Sequence, residues 1–239
     1  MPDCLPPLRV LYVDASVLLL DKPAGLLSVP GRGADKQDCL SRRAQAHYPD
    51  ALVVHRLDMA TSGLLLMARG VQAQRSLNAA FRAQAIAKRY RAVVAGDCRA
   101  QSLQTLADGT QPAPWQRIDL PIHADWAQRP LRRIDATLGK PSSTRWRCVA
   151  FDAVAQASHL ELEPLTGRSH QLRVHLQAIG HPILGDALYA PAALADASPY
   201  LLLHAQRMEF AHPLHGARCA FECPLPQHWP AQGLELQGA

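Results

Sequence analysis

The stretch that most constrains this chain runs from Val53 to Ala68, VVHRLDMATSGLLLMA. Apolar β-formers lead into His55-Arg56-Leu57-Asp58, Thr61-Ser62-Gly63 turns the chain, and Leu64 to Ala68 is apolar again. That order predicts a strand, a polar loop and a second strand, since β-branched and large apolar residues suit a pleated sheet while Ser, Gly and Asp favour turns. A carboxylate beside an apolar sheet is partly desolvated, and Arg56, two residues away, favours its charged form. Asp58 is therefore the catalytic candidate. An Asp before Thr-Ser-Gly equally suits capping or turning of the backbone, and one carboxylate does not separate the two readings.

At 239 residues the chain is one large domain or two small ones, long enough to bury a core. With 48% hydrophobic and 19% charged residues it is globular and not disordered. Its apolar runs, Val17 to Leu20, Leu64 to Ala68 and Leu201 to Leu203, are strand length, far short of the roughly 20 residues that span a bilayer. No basic segment with an apolar core opens the chain, so a cytoplasmic protein without membrane attachment is expected. Cys4, Cys39, Cys98, Cys148, Cys219 and Cys223 lack Cys-x-x-Cys spacing and are expected to stay thiols. Cys219 and Cys223 beside His212 and His215 match no common zinc pattern and read as small buried thiols, so no metal is expected.

The net charge of +5 is modest, and its distribution says more. Between Met59 and Gly96 there is no Asp or Glu, while Arg69, Arg75, Arg82, Lys88, Arg89 and Arg91 are present. A second acid-free stretch, Pro164 to Gly185, carries Arg168 and Arg173 with three histidines. Such clusters suit a polyphosphate ligand, or form a solvated face whose acids lie opposite in space.

Leu8 to Val13 and Val17 to Asp21, split by Asp14-Ala15-Ser16, read as a hairpin. The glycine-rich Val29 to Gly33 lacks the Gly-Lys-Ser/Thr ending and the strand-to-helix spacing of a nucleotide loop. Helices are expected over Gln37 to His47, Gln72 to Gln84, where Leu77 and Phe81 share a face, and Ser169 to Ile179. Strands are expected over Lys88 to Ala95, His159 to Glu163 and Tyr200 to Phe210. Tyr90 sits among cations and is either a stacking platform or a core phenol. From Asp97 to Arg147 eight Arg or Lys and five Asp are interleaved with Trp115, Trp126 and Trp146, between turn residues such as Asp108-Gly109. Cations mixed with aromatics suit RNA, although tryptophans also pack under long excursions, and the stretch is too long to lack strands of its own. The Pro- and Gln-rich tail from Pro224 is expected to be loosely held.

His55-Arg56-Leu57-Asp58 followed by Thr61-Ser62-Gly63 resembles the catalytic motif of the RluA family of pseudouridine synthases, in which the Asp is the essential carboxylate. Leu165-Thr166-Gly167-Arg168-Ser169-His170-Gln171-Leu172-Arg173-Val174-His175 resembles that family's other signature, which Gly180 to Asp186 continues. Two long motifs in the expected order, about a hundred residues apart, are more specific than either alone. Asp21-Lys22-Pro23, Lys88-Arg89-Tyr90 and Leu201 to Ala205 extend the similarity over most of the chain.

The resemblance implies an α/β fold of the pseudouridine synthase type, with a mixed, mostly antiparallel sheet, flanking helices and a central RNA-binding cleft. Residues 1–239 would form a single catalytic domain without a separate N-terminal RNA-binding domain, acting as a monomer and needing neither cofactor nor metal. By resemblance Asp58 is catalytic, attacking the sugar or removing its C2′ proton. Tyr90 stacks on the target base in or near proton removal from C5, Arg168 pairs with Asp58, and Leu202 or Leu203 supplies an apolar wall. Arg56 is placed to fill the stack vacated by an extruded base. His55 is a substrate-binding candidate with an equally strong structural reading. Residues around Asp58 and after Arg168 most resemble the branch acting on short hairpins, a tRNA anticodon-loop uridine and a 23S rRNA loop uridine. A glycosylase-type hydrolase would use Asp58 but release free uracil, and a non-catalytic RNA-binding module would keep the basic surface without needing Asp58.

Overall fold

The computed structural model describes residues 7–99 and 114–230. In chain order the elements are β1 (Arg9–Val13), β2 (Val17–Lys22), a 3-10 turn (Ala34–Lys36), α1 (Leu40–His47), β3 (Ala51–Val53), β4 (Ser62–Arg69), α2 (Val71–Arg82) and β5 (Ala87–Ala95). There follow β6 (Gln116–Asp119), β7 (Ile122–Ala124), β8 (Arg132–Ile134), β9 (Ser143–Asp152), β10 (Ala157–Pro164), α3 (Gln171–Ala178), α4 (Ala192–Ala195), β11 (Leu203–Ala211) and β12 (Arg218–Glu222). The chain forms two compact units. One comprises residues up to Lys88 with His204–Leu225, and the other joins Arg89–Leu203 to the segment beginning at Pro226.

The first unit is built on β4. Antiparallel partners β2 and β3 flank it, β1 extends β2, and β11, itself paired with β12, runs parallel to β4 through His204↔Ser62 and Ala205↔Gly63. Leu19 lies opposite Leu66 and Val17 opposite Ala68. These residues pack with Ala73 and Leu77 of α2, which sit four positions apart on one helix face, and with Met208 and Phe210 of β11. Leu18, Leu20, Leu65 and Met67, on the opposite sheet face, are also fully buried. Both faces of β2 and β4 are therefore covered, which is why these strands read as unbroken apolar runs. Each such side chain contributes about 1.5–3 kcal/mol by leaving water.

In the second unit β5, β10, β9 and β6 pair in that order, all antiparallel, and β7–β8 form a separate hairpin. The expectation that the stretch from Asp97 to Arg147 carries its own strands is met by β6, β7, β8 and the start of β9. Within each unit the described strand pairs are antiparallel except β4 with β11, so the expected mixed, mostly antiparallel sheet with helices is what forms.

Two helices start later than the periodicity suggests. The N–H groups of Leu40 and Ser41 are taken by the carbonyls of Leu27 and Ser28 (2.8 and 3.1 Å), so α1 begins there and not at Gln37. His170 is left-handed (φ 58), a conformation no right-handed helix continues, and α3 begins at Gln171. Strand β12 and helix α4 were not anticipated, and the turn expected at Asp108-Gly109, Cys4 and the end of the tail lie outside the described residues. The other five cysteines are free thiols, and no His/Cys/Asp/Glu cluster suited to a metal occurs among the described residues. No helix among them is long and apolar enough to cross a membrane.

Candidate active site

Asp58 lies on the loop between β3 and β4, and the main chain is tied down on both sides of it. Leu57, buried, donates its N–H to Ser28 Oγ (3.0 Å), and its carbonyl accepts from the same hydroxyl (2.7 Å). The Asp58 carbonyl accepts from Thr61 N–H (3.1 Å). The Met59 carbonyl accepts from Gly25 N–H (2.9 Å) and from Lys22 Nζ (2.9 Å). The late start of α1 and this clamp share one cause, since the Leu27–Ser28 segment that receives the first helical N–H groups also presents the Ser28 hydroxyl to Leu57.

Lys22 ends β2 and is completely buried. Its ammonium donates to the carbonyls of Pro23 (2.8 Å), Leu26 (2.7 Å) and Met59 (2.9 Å), so all three protons are used. Burial pushes the ammonium down to about 7, and the carboxylates of Asp58 and Asp21 pull it partly back. A buried cation thus sits beside Asp58 and holds the residue after it.

The Thr-Ser-Gly that follows Asp58 has a tertiary explanation. Ser62 Oγ hydrogen-bonds His204 Nδ1 (2.9 Å), and His204 lies opposite Ser62 in the parallel ladder. Gly63 has φ +106, and a Cβ there would stand 2.3 Å from the carbonyl oxygen of Ala205, so only glycine lets β11 approach β4 at this point. His204 and Ala205 are the residues that meet Ser62 and Gly63 of the Asp58 motif.

His55 Nε2 accepts the Leu66 N–H (2.9 Å), and the ring lies against Phe81 with centroids 4.9 Å apart. Burial, with Lys88 nearby, depresses its pKa to about 3, so the imidazole is neutral, as an acceptor must be. Arg56 is exposed between these tied residues. The first unit therefore brings together Asp58, His55, Arg56 and Lys22.

Tyr90, Arg168, Leu202 and Leu203 belong to the second unit. Tyr90 is on β5 opposite Leu162, and Leu202 and Leu203 are buried. The Leu202 carbonyl accepts from Val93 N–H (3.1 Å), and its N–H donates to the Leu184 carbonyl (3.0 Å). Arg168 is exposed on the turn between β10 and α3, its Nε 3.4 Å from the Pro141 carbonyl. That turn is organised by Gln171. The Gln171 Oε1 accepts from Arg168 N–H (3.1 Å) and the Thr166 hydroxyl (2.7 Å), while Nε2 donates to Ser143 O (2.9 Å) and Thr144 Oγ1 (3.0 Å). A buried amide with every donor and acceptor engaged fixes one conformation. On the same helix Arg173 forms a buried two-pronged ion pair with Asp186 (2.7 and 2.5 Å).

Sequence reasoning gave no role to Lys22, Ser28 or Gln171. A signal for Lys22 was present, because the alternation that places Leu18 and Leu20 on one buried face places residue 22 on it too.

The family model for RNA pseudouridylate synthase matches residues 16–178. The dual-specificity RNA pseudouridine synthase RluA of Escherichia coli strain K12 is 41% identical over 220 residues, covering 92% of this chain and 94% of that protein. The protein of the same name from Yersinia pestis is 43% identical over 215 residues, covering 90% of this chain and 97% of its own. Among solved structures, human RNA pseudouridylate synthase domain containing 1 superposes with a TM-score of 0.73 at 26% identity, over 95% of this chain and 86% of that one.

Proposed function

We propose, for a chain that belongs to the RNA pseudouridylate synthase family and is an RNA pseudouridine synthase, that Asp58 is the group that acts on the ribose of the target uridine. The observation that carries this is the clamp on residues 57–59, with main-chain ties to Ser28, Gly25, Thr61 and Lys22. A reacting carboxylate must be held in one direction, because effective concentration is lost with small displacements.

Isomerisation breaks the C1′–N1 bond, turns the uracil and rejoins it through C5, so no atom or electron enters or leaves. The reading therefore needs no metal or cofactor. Asp58 adds to C1′ or takes the C2′ proton, and either step requires a detached uracil to be retained and water excluded. Leu202 and Leu203, both buried, supply apolar surface, and Tyr90 stacks on the base near the proton lost from C5. Arg168 orients Asp58 through a charge-assisted contact. Arg56, exposed beside Asp58, fills the stack the target base leaves. His55 acts from beneath the loop, since its ring nitrogen is committed to the Leu66 N–H.

The substrates are compact stem-loops, a uridine in a tRNA anticodon loop and one in a 23S rRNA hairpin, whose loop bases can be splayed out. The similarity to synthases named for dual specificity supports this. The enzyme works as a monomer in the cytoplasm. The test offers the two isolated hairpins separately to wild type and Asp58→Asn and maps pseudouridine in each. Wild type is expected to modify them, and Asp58→Asn to bind but not to turn over. Turnover by Asp58→Asn removes it from catalysis, release of free uracil makes the chain a hydrolase, and activity only on assembled ribosomal RNA moves it to other substrates.

A further inference from the structure

The three tryptophans of the stretch from Asp97 to Arg147 have different surroundings. Trp146 is buried in β9. Trp115 is ringed by the guanidinium groups of Arg89, Arg145 and Arg147, at 5.6, 5.0 and 4.8 Å from its ring centroid. Trp126, at the turn between β7 and β8, leaves 68% of its surface in solvent. An indole left in water forgoes the burial that dominates core energetics. Arg129 lies over the ring, its guanidinium carbon 3.3 Å from the centroid.

The turn is ordered from within. Asp125 Oδ1 accepts from Ala127 N–H (3.2 Å) and Gln128 N–H (3.1 Å), and Leu131 N–H donates to the Gln128 carbonyl (2.9 Å). Arg129 has no carboxylate partner among the described residues, and Arg132 Nη1 reaches only the carbonyls of Pro130 and Leu131 (3.1 and 2.9 Å). The base of the hairpin is packed, with Leu131 and Ile134 lying against Ile122, Val174 and Tyr189. Arg132 N–H donates to the Tyr189 hydroxyl (2.9 Å), which is 2.6 Å from His170 Nδ1. The same tyrosine thus seats the hairpin and holds the left-handed residue two positions after Arg168.

We propose that this turn is an RNA-contacting finger, in which Trp126, with Arg129 stacked on one face, takes an unpaired base of the stem-loop on the other. Base stacking on an exposed aromatic is tolerant of base identity, and the uncompensated guanidinium of Arg129 meets the adjoining phosphate. Paired RNA offers no free base face, so the occupant is a loop nucleotide. This rests on the reading of stem-loop RNA as substrate.

The test uses the full chain, an anticodon stem-loop carrying 2-aminopurine at one loop position at a time, and Trp126→Ala, Trp126→Phe and Arg129→Ala. On binding wild type, the probe at one position is expected to be quenched, with the quench lost in Trp126→Ala and kept in Trp126→Phe. Trp126→Ala should weaken binding roughly 5- to 150-fold. Arg129→Ala should lower the slope of log affinity against log salt by about one. Unchanged quenching at every position with affinity within about twofold of wild type overturns the proposal. So does a wild-type dimer in sedimentation that Trp126→Ala abolishes, since the indole then covers a second copy. If wild type neither binds nor modifies the stem-loop, the substrate reading fails first, and the same probes in full-length tRNA and a 23S domain test the finger on its own.

Discussion

Replacing Lys22 with Met keeps an unbranched stem in a fully buried position but removes the three contacts of the ammonium and the cation beside Asp58. The Met59 carbonyl keeps its Gly25 N–H, whereas the contacts to Pro23 and Leu26 go unreplaced. A buried acceptor stripped of its partner costs about 1–3 kcal/mol, so two cost about 2–6 kcal/mol. Removing the desolvated charge returns part of this, and a net loss of about 2–4 kcal/mol at pH 7 follows, a large share of a typical stability of about 5–15 kcal/mol. The pH dependence isolates the lysine. Its pKa falls from 10.5 in the unfolded chain to about 7 in the fold, so between these values the unfolded state holds more protons and stability rises with pH. Between pH 7 and 9 the margin of wild type over Lys22→Met should widen by roughly 2 kcal/mol, taking 1.36 kcal/mol per pKa unit. Urea unfolding of both proteins at pH 7, 8 and 9 reads this margin. Because the Met59 carbonyl loses one of its two ties, turnover should also fall, on the order of 10²-fold if Asp58 moves by about 1 Å. A margin below about 1 kcal/mol, or one that is flat or narrows with rising pH, would refute the account of Lys22.

On the proposed pairing of Arg168 with Asp58, Arg168→Lys should lower turnover at least about tenfold with stability unchanged, because a single ammonium does not reproduce the planar two-pronged geometry that pairing calls for, and wild-type rates in single-turnover assays would remove Arg168 from the site. Gln171→Leu leaves the Arg168 N–H and the Thr166 hydroxyl without their acceptor and should destabilise the protein by about 2–4 kcal/mol in urea unfolding. Gly63→Ala drives a Cβ to 2.3 Å from a backbone oxygen at a positive φ, and a loss above about 3 kcal/mol, or insoluble protein, is expected in thermal unfolding.

The strand-loop-strand that carries Asp58 was legible in the sequence because the determinants of that pattern are local. An apolar run, a polar loop and another apolar run define strand, turn and strand within a few residues, and β3, the Asp58 loop and β4 follow that pattern. The helix over Val71–Arg82 was legible for the same reason, since Leu77 and Phe81 mark one face. Lys22 shows where such reading stops. A lysine is taken to face solvent, and what makes this one a buried strut is a carbonyl 37 positions away, at Met59. Gln171 likewise depends on Ser143, 28 positions earlier, to turn a polar side chain into the pin beneath Arg168. The three tryptophans make the same point about composition. One string of Arg and Trp residues became a core ring, a ring among guanidiniums and an exposed indole. Local sequence fixes the conformations a segment favours, but burial and hydrogen-bond partnership belong to pairs of segments distant along the chain, and only the folded arrangement decides them.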